Sequence, residues 1–166
     1  MRRSLTAVLA FLLVISGCSP ALSGRQPSGE ILAFGVMSVK GRTVEKSPDT
    51  IQGIQARSTL GIAEKTDQIT ATRGLSFGIS YVVTGVTKNA DYVLDKVVIH
   101  PKMRTPDGKE ITSQEFKIRG KSSDEGTIVR TTGYEFTDEF EMVRGKWKIQ
   151  LWYNDKMLVE QSFDVK

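Results

Sequence analysis

Apolar side chains alternate with polar or small ones along two stretches of this chain, and this period of two constrains its fold more than any other feature. The alternating apolar residues of the first stretch are Leu75, Phe77, Ile79, Tyr81 and Val83. Those of the second stretch are Trp147, Ile149, Leu151 and Tyr153. Successive side chains of a β-strand point to opposite faces of its sheet, so both stretches are predicted to be half-buried strands.

Weaker strand segments continue this pattern over much of the remaining chain. They are residues 31–39, 55–63, 92–100, 111–118 and 127–136, whereas residues 157–165 repeat the strong alternation except at Gln161. Residues that favour turns separate them, such as Gly41, Gly85, Asn89 and Gly120. A helix is an alternative for residues 50–65, but Gly53 and Gly61 count against it, since each costs about 1 kcal/mol in a helix. Seven to nine short strands without long helices predict an all-β fold, an antiparallel β-sandwich.

The last two strands are predicted to form a hairpin that closes the core. Asn154, Asp155 and Lys156 between them are compatible with a turn. This arrangement resembles the closing hairpin of bacterial immunoglobulin-like domains, in which Trp147 would supply the central aromatic ring. The fold class predicted for residues 30–166 is therefore an antiparallel immunoglobulin-like β-sandwich.

The N-terminus has the pattern of an export signal. Arg2 and Arg3 precede a mostly apolar run over residues 5–15, which is shorter than the roughly 20 residues that span a bilayer. Small residues stand directly before Cys18, as in the cleavage box of bacterial lipoproteins. The resemblance implies a signal peptide over residues 1–17 and a lipid anchor on Cys18, and the alternative is an ordinary signal peptide with an incidental cysteine. Ser19 then favours the periplasmic face of the outer membrane.

The segment after Cys18 is rich in Ser, Gly and Pro, so residues 18–29 are predicted to be a lipidated cysteine followed by a flexible tether. Cys18 is the only cysteine, and the domain beyond it can form no disulfide of its own. The chain has a formal net charge of +4 at pH 7, with acidic and basic residues interspersed. Nucleic-acid binding needs clustered Lys and Arg, so it is not expected.

Motifs of Gly, Pro and aromatic residues are spread over positions 30–165. Those that carry a family resemblance are Gly74-Leu75-Ser76-Phe77-Gly78, His100-Pro101, Pro106-x-Gly108, Tyr134-Glu135-Phe136, Glu141, Gly145-x-Trp147 and Leu158-x4-Phe163. Together they resemble an uncharacterised bacterial family, domain of unknown function number 3859. The resemblance implies an immunoglobulin-like sandwich in exported proteins, and it supplies no catalytic residue.

The candidate catalytic motifs are incomplete. Gly74-x-Ser76-x-Gly78 matches the nucleophile elbow of α/β-hydrolases, but that motif needs a strand, a sharp turn and a helix, whereas Ser76 begins a strand. His100 is the only histidine and is expected to be a hydrogen-bonded structural residue. Residues 120–122 lack the first glycine of a phosphate-binding loop and are predicted to form a solvated turn.

The acidic residues Asp138, Glu139 and Glu141 lack the alternating spacing of a calcium loop, and a single histidine makes a zinc site improbable. A solvated edge is the favoured interpretation of the three carboxylates. We therefore expect no metal, no cofactor and no enzymatic activity.

Trp152 is the side chain that most suggests a contact surface. It is out of phase with Trp147, so it shares the polar face of its strand with Lys146 and Lys148. Tryptophan is enriched at binding hot spots, which predicts a contact site, and the alternative is cover by lysine stems or a loop.

The sequence predicts a lipid-anchored protein that acts by binding or structural contact. The expected partners are the membrane, through the lipid on Cys18, and an envelope protein or peptidoglycan. A small periplasmic hydrolase and a carrier of a lipidic ligand are the alternatives.

Overall fold

The computed structural model describes residues 26–46 and 54–166. These residues form nine strands and one turn of 3-10 helix, Glu139–Glu141. The strands are β1 (Ser28–Lys46), β2 (Ile54–Glu64), β3 (Gln68–Ile69), β4 (Ser76–Thr84), β5 (Asp91–Arg104), β6 (Glu110–Lys121), β7 (Thr127–Glu135), β8 (Gly145–Tyr153) and β9 (Lys156–Val165). No helix in these ranges is long and apolar enough to cross a membrane. The predicted signal peptide, Cys18 and the tether up to residue 25 lie outside the described residues.

Two sheets packed face to face make up the sandwich. One sheet has four strands in the order β2-β1-β4-β7, and the other has five in the order β3-β9-β8-β5-β6. Neighbouring strands run antiparallel, except that β3 pairs with β9 in parallel. The predicted all-β sandwich of seven to nine strands is confirmed. The parallel pair was not predicted, because β3 contains only two residues and is too short to show a period.

The core lies between the sheets and is dominated by aromatic rings. Trp147 is fully buried, as predicted, and its indole Nε1 donates to the Val143 carbonyl at 2.8 Å. Phe77 of the opposite sheet packs edge-on against Trp147 with ring centroids 5.8 Å apart, and it meets Phe163 at 5.0 Å. Burying one large apolar side chain contributes about 1.5–3 kcal/mol, so these rings explain how the described sheets hold together without a disulfide.

Strands β8 and β9 form the predicted C-terminal hairpin. The turn residues Asn154 and Asp155 have φ angles of 48° and 62°. Two successive residues with positive φ give the turn that matches strand twist, and Asn and Asp tolerate this conformation better than other side chains do. The register that follows pairs Trp147 with Phe163, which brings both rings into the core.

Strand β1 begins inside the segment predicted to be a tether. A Cβ on Gly29 would lie 2.9 Å from the Leu158 side chain, so the chain is packed closely against β9 at this point. The Lys156 ammonium also donates to the Pro27 carbonyl at 2.9 Å. The boundary expected at residue 29 is therefore corrected to Ser28, since pairing with β4 already starts there.

Strand β2 occupies most of the segment for which a helix was the alternative. Residues Ile54–Glu64 form a strand, and they pair with the second half of β1 from Val36 to Lys46. The predicted strand over residues 55–63 is confirmed.

Two glycines leave a flat place on the four-stranded sheet. Gly78 of β4 lies directly opposite Gly133 of β7. The Met37 sulfur lies over both, 2.6 Å from where a Cβ on Gly78 would be and 2.3 Å from a Cβ on Gly133. The close approach of Met37 therefore depends on both positions lacking a side chain.

Candidate functional site

Ser76 and His100 do not form a catalytic pair. Ser76 begins β4 of the four-stranded sheet, and the strand continues to Thr84 without a turn into a helix. His100 is buried in the other sheet, with its ring centroid 5.0 Å from that of Trp147 and its Nε2 without a hydrogen-bond partner. Its Nδ1 lies 2.8 Å from the Pro101 carbonyl, which can only accept, so Nδ1 carries the proton. His100 is a hydrogen-bonded core residue, as predicted.

The prediction of a solvated turn at residues 120–122 is wrong. Strand β6 runs through Lys121, and Ser122 is buried. The Ser122 hydroxyl donates to the Thr87 carbonyl at 2.6 Å and accepts from the Ala90 amide at 3.0 Å. A small polar side chain here supplies hydrogen bonds to the connection between β4 and β5, which a local turn pattern does not reveal.

The acidic residues after β7 organise the 3-10 turn. Glu141 accepts hydrogen bonds from the backbone amides of Thr137 and Asp138 at 2.7 and 3.0 Å, and from the Tyr134 hydroxyl at 2.8 Å. Burial alone would raise the pKa of Glu141, but these hydrogen bonds outweigh it and hold the pKa below its ordinary value. Within residues 26–46 and 54–166, no group of three His, Cys, Asp or Glu residues is arranged to hold a metal ion.

Trp152 lies on the outer face of the five-stranded sheet, as its phase predicted. The indole is half-buried, and its Nε1 donates to Gln150 Oε1 at 3.0 Å. Gln150 Nε2 in turn donates to Glu160 Oε2 at 2.6 Å. These contacts fix the ring in one orientation, so little conformational entropy remains to be lost if Trp152 binds a partner.

A shallow groove of about 440 Å³ surrounds this indole, and we call it the Trp152 surface. It is lined by Asp95, Val97, Glu115, Lys117, Gln150, Trp152 and Asp155. Two exposed apolar side chains on the same face extend it: Met157, opposite Trp152 on β9, is 45% exposed, and Val93 on β5 is 43% exposed. The Lys117 ammonium forms an ion pair with Asp95 beside the indole. The surface therefore combines an ordered aromatic ring with apolar margins, one ion pair and two further carboxylates, Glu115 and Asp155.

Only one of the two predicted lysines lies near Trp152. Lys148 joins the same hydrogen-bonded chain through Glu160, whose Oε1 accepts from the Lys148 ammonium at 2.9 Å. Hydrogen bonds from Gln150 and then Lys148 hold the pKa of Glu160 below its ordinary value. Lys146 is six residues from Trp152, about 20 Å along the strand, and pairs with Asp164 at 2.8 Å. Lys146 therefore lies outside the Trp152 surface.

Lys96 is an unusual residue that sequence analysis missed. Only 9% of it is exposed, and it projects inward from β5, in phase with Leu94 and Val98. Its ammonium donates to the Gly133 carbonyl of β7 at 2.8 Å and lies 4.1 Å from the centre of the Phe116 ring. The sequence does contain a signal for it, because Lys96 stands at a strand position whose neighbours two residues away, Leu94 and Val98, are apolar.

The surroundings of Lys96 form a cleft of about 220 Å³ where the edges of the two sheets meet. We call it the Lys96 cleft, and its lining is Lys96, Gln114, Phe116, Gly133, Tyr134, Glu135, Thr137 and Glu141. Burial lowers the pKa of Lys96 to about 8, because the charged form loses contact with water. Burial likewise raises the pKa of the Tyr134 hydroxyl, which accepts from Gln114 at 3.0 Å. The Lys96 amine is therefore largely shielded from water, although it lines the cleft.

Comparison with known proteins gives the fold a family. An immunoglobulin-like protein of Pseudomonas aeruginosa, known from a crystal structure, is similar over 87% of this chain and 99% of its own, with 25% sequence identity and a TM-score of 0.59. The alkylpurine DNA glycosylase of Pseudomonas fluorescens matches 60% of this chain and 28% of its own, at 12% identity, and its TM-score of 0.44 carries no argument. No curated protein matches. The sandwich is immunoglobulin-like, as predicted, and because the family model described as Domain of unknown function (DUF3859) matches residues 25–165, the chain belongs to this family.

Proposed function

We propose that this protein is a lipid-anchored envelope protein that acts by binding, and that the Trp152 surface contacts another envelope protein. The lipoprotein pattern at Cys18 supports the anchor. The hydrogen-bonded indole of Trp152, with Met157 45% exposed beside it, is the observation that carries the contact. A few residues, among which Trp, Tyr and Arg are enriched, supply most of the binding free energy of typical protein interfaces.

The anchored end of the domain lies near this surface. Pro27 contacts Lys156, which follows the turn next to Trp152. Residues 18–27 reach at most about 35 Å when extended, at roughly 3.3–3.6 Å per residue. The anchor would therefore keep Pro27, and with it the neighbouring Trp152 surface, close enough to the membrane to contact a partner held there.

A protein partner fits the surface better than peptidoglycan does. Lys117 and Asp95 beside the indole form an ion pair, and the exposed side chains of Val93 and Met157 add apolar margins of the kind a protein partner can cover. Glu115 and Asp155 are the remaining charged groups of the lining. A lipid carrier would need an apolar chamber between the sheets. At the centre of this core Phe77 and Trp147 instead pack directly together.

Site-specific photo-crosslinking in intact cells tests the proposal. A benzophenone amino acid in place of Met157 should capture a defined protein, whereas the same group in place of Leu32, which is 53% exposed on β1, should not. Trp152→Ala in the Met157 crosslinker background should reduce the captured product about tenfold, as expected for loss of a hot spot. Circular dichroism and the melting temperature establish that the variant remains folded.

Equal capture from both positions, or capture at Met157 that does not depend on Trp152, contradicts the proposal. A crosslinked product that lysozyme digestion removes would assign the surface to peptidoglycan instead.

A further inference from the structure

Strand β7 is a free edge of the four-stranded sheet. Among the described residues its only strand partner is β4, which pairs with it from Thr127 to Glu135. The Gly133 carbonyl points away from β4, since it accepts the Lys96 ammonium. Backbone groups of an antiparallel strand alternate in direction, so the peptide groups of Val129 and Thr131 also point outward. This edge is available for pairing with a further strand.

The free edge is bordered by apolar and hydroxyl side chains and by one cation, Arg130, whose guanidinium donates to the Arg119 carbonyl of β6 at 2.9 Å. A groove of about 490 Å³ follows β7 and is lined by Leu60, Ser80, Ile118, Val129, Arg130, Thr131 and Thr132. Val129 is 64% exposed and Leu60 is 38% exposed. Exposed edges recruit extended peptides through main-chain hydrogen bonds, with pockets for alternate side chains.

Lys96 limits how far an added strand can pair. The Lys96 ammonium already donates a hydrogen bond to the Gly133 carbonyl. A peptide that pairs with Val129 and Thr131 therefore cannot extend its backbone hydrogen bonds to Gly133. An ammonium has three N–H donors, and only one of them is used by Gly133. None of the ion pairs among the described residues involves Lys96. Glu135 and Glu141 both line the cleft, and Glu141 already accepts from Tyr134 and from backbone amides.

We propose that β7 binds the C-terminal segment of another protein as an added strand, and that its terminal carboxylate is received by Lys96. The strand would lie along Val129 and Thr131, and its end would enter the Lys96 cleft. A free carboxylate can accept from the unused donors of Lys96 and ends the added strand where the edge is interrupted at Gly133. Glu135 and Glu141 are the other charged groups of the cleft. This surface is distinct from the Trp152 surface, so either can bind without the other.

The depressed pKa of Lys96 is consistent with this role. A carboxylate in the cleft would favour the protonated amine and would raise its pKa from about 8. Binding is therefore expected to be strongest between the pKa of the terminal carboxyl, about 3.5, and that of the amine.

The test uses two synthetic hexapeptides, Ac-Thr-Val-Lys-Val-Thr-Val with a free C-terminal carboxylate and the same peptide as its C-terminal amide. Titration of the isotope-labelled protein, followed by amide chemical shifts, should show the free acid binding about tenfold more tightly than the amide, with shifts at Val129 and Thr131. The preference for the free acid over the amide should vanish in Lys96→Met, and Lys96→Arg should retain part of this preference. Amide spectra of each variant report whether the fold is kept.

A third peptide, N-methylated at the residues that face the edge, should lose binding in both forms. Equal affinity of acid and amide for the parent protein overturns the proposal, as does a preference that persists in Lys96→Met. Shifts confined to the Trp152 surface, or the absence of any shift with either peptide, overturn it as well.

Discussion

Lys96 occupies a core position that its neighbours fill with apolar side chains. Leu94 and Val98, at the adjacent inward positions of β5, are fully buried. In place of water, the Lys96 ammonium has one hydrogen bond, to the Gly133 carbonyl, and a contact with the face of the Phe116 ring. Burial of a charge with so little compensation opposes folding whenever the amine is protonated.

This cost predicts an unusual dependence of stability on pH. The pKa of Lys96 is about 8 in the folded protein and 10.5 ordinarily, so the unfolded chain binds more protons between these values. The free energy of unfolding should therefore rise with pH across this window, by at most about 3 kcal/mol.

Urea unfolding at a series of pH values measures this dependence. Lys96→Met should be more stable than the parent protein below pH 8, and its free energy of unfolding should rise less with pH. Lys88→Met, a substitution on the surface, should show the same rise as the parent. A slope that is the same in the parent and in Lys96→Met would show that the amine is better solvated than its burial indicates.

At the scale of elements, the facing glycines of β4 and β7 determine how closely Met37 approaches the sheet. Gly78 and Gly133 leave no side chain between the Met37 sulfur and the backbone. A Cβ on Gly133 would also lie 2.2 Å from the Phe77 carbonyl oxygen. The strands must therefore move apart to accept even alanine.

Gly133→Ala should destabilise the protein by about 1–3 kcal/mol, as overpacking does. Gly74→Ala is the comparison for backbone strain without overpacking, because its Cβ would meet nothing within 4 Å and only the positive φ of 82° is strained. That strain costs about 1–2 kcal/mol. This cost should be the same with and without Met37.

Met37→Ala alone should also destabilise the protein, because Met37 is buried. In that background Gly133→Ala should cost less than in the parent, but not nothing, since the Phe77 oxygen remains. A cost that falls to zero in this double-mutant cycle, measured by urea unfolding, would assign the whole effect to Met37.

The long strands could be predicted because each buries one face, which leaves a period of two in the chain. The same period placed Trp152 on the outer face, although its groove depends on Asp95 and Lys117 of two other strands. The two residues of β3 leave no such trace, and their pairing with β9 arises from contacts distant in sequence. Ser122 and Lys96 were missed because a polar residue is buried only where tertiary partners supply its hydrogen bonds.

At the scale of the whole molecule, the proposed anchor at Cys18 connects to the sandwich through a short segment. Cys18→Ala should move the protein from the detergent-soluble membrane fraction to an uncleaved or soluble form, because two or three acyl chains are lost and each buried methylene contributes about 0.8 kcal/mol. Ser19→Ala is the control that should remain lipidated. Fractionation and intact mass measure both variants. Cys18→Ala that stays in the membrane fraction with unchanged mass would contradict the lipid anchor.

The aromatic core also determines when this chain can fold. Phe77 lies near the middle of the sequence, yet the rings that cover it, Trp147 and Phe163, belong to the last two strands. Strand β3 likewise waits for β9, its pairing partner almost a hundred residues later. Because contacts so distant in sequence form slowly, a growing chain would keep its apolar strands uncovered until β8 and β9 have been synthesised. The core therefore cannot be completed before the C-terminal hairpin is present, and chains cut short before it should be degraded rather than accumulate as a partial domain.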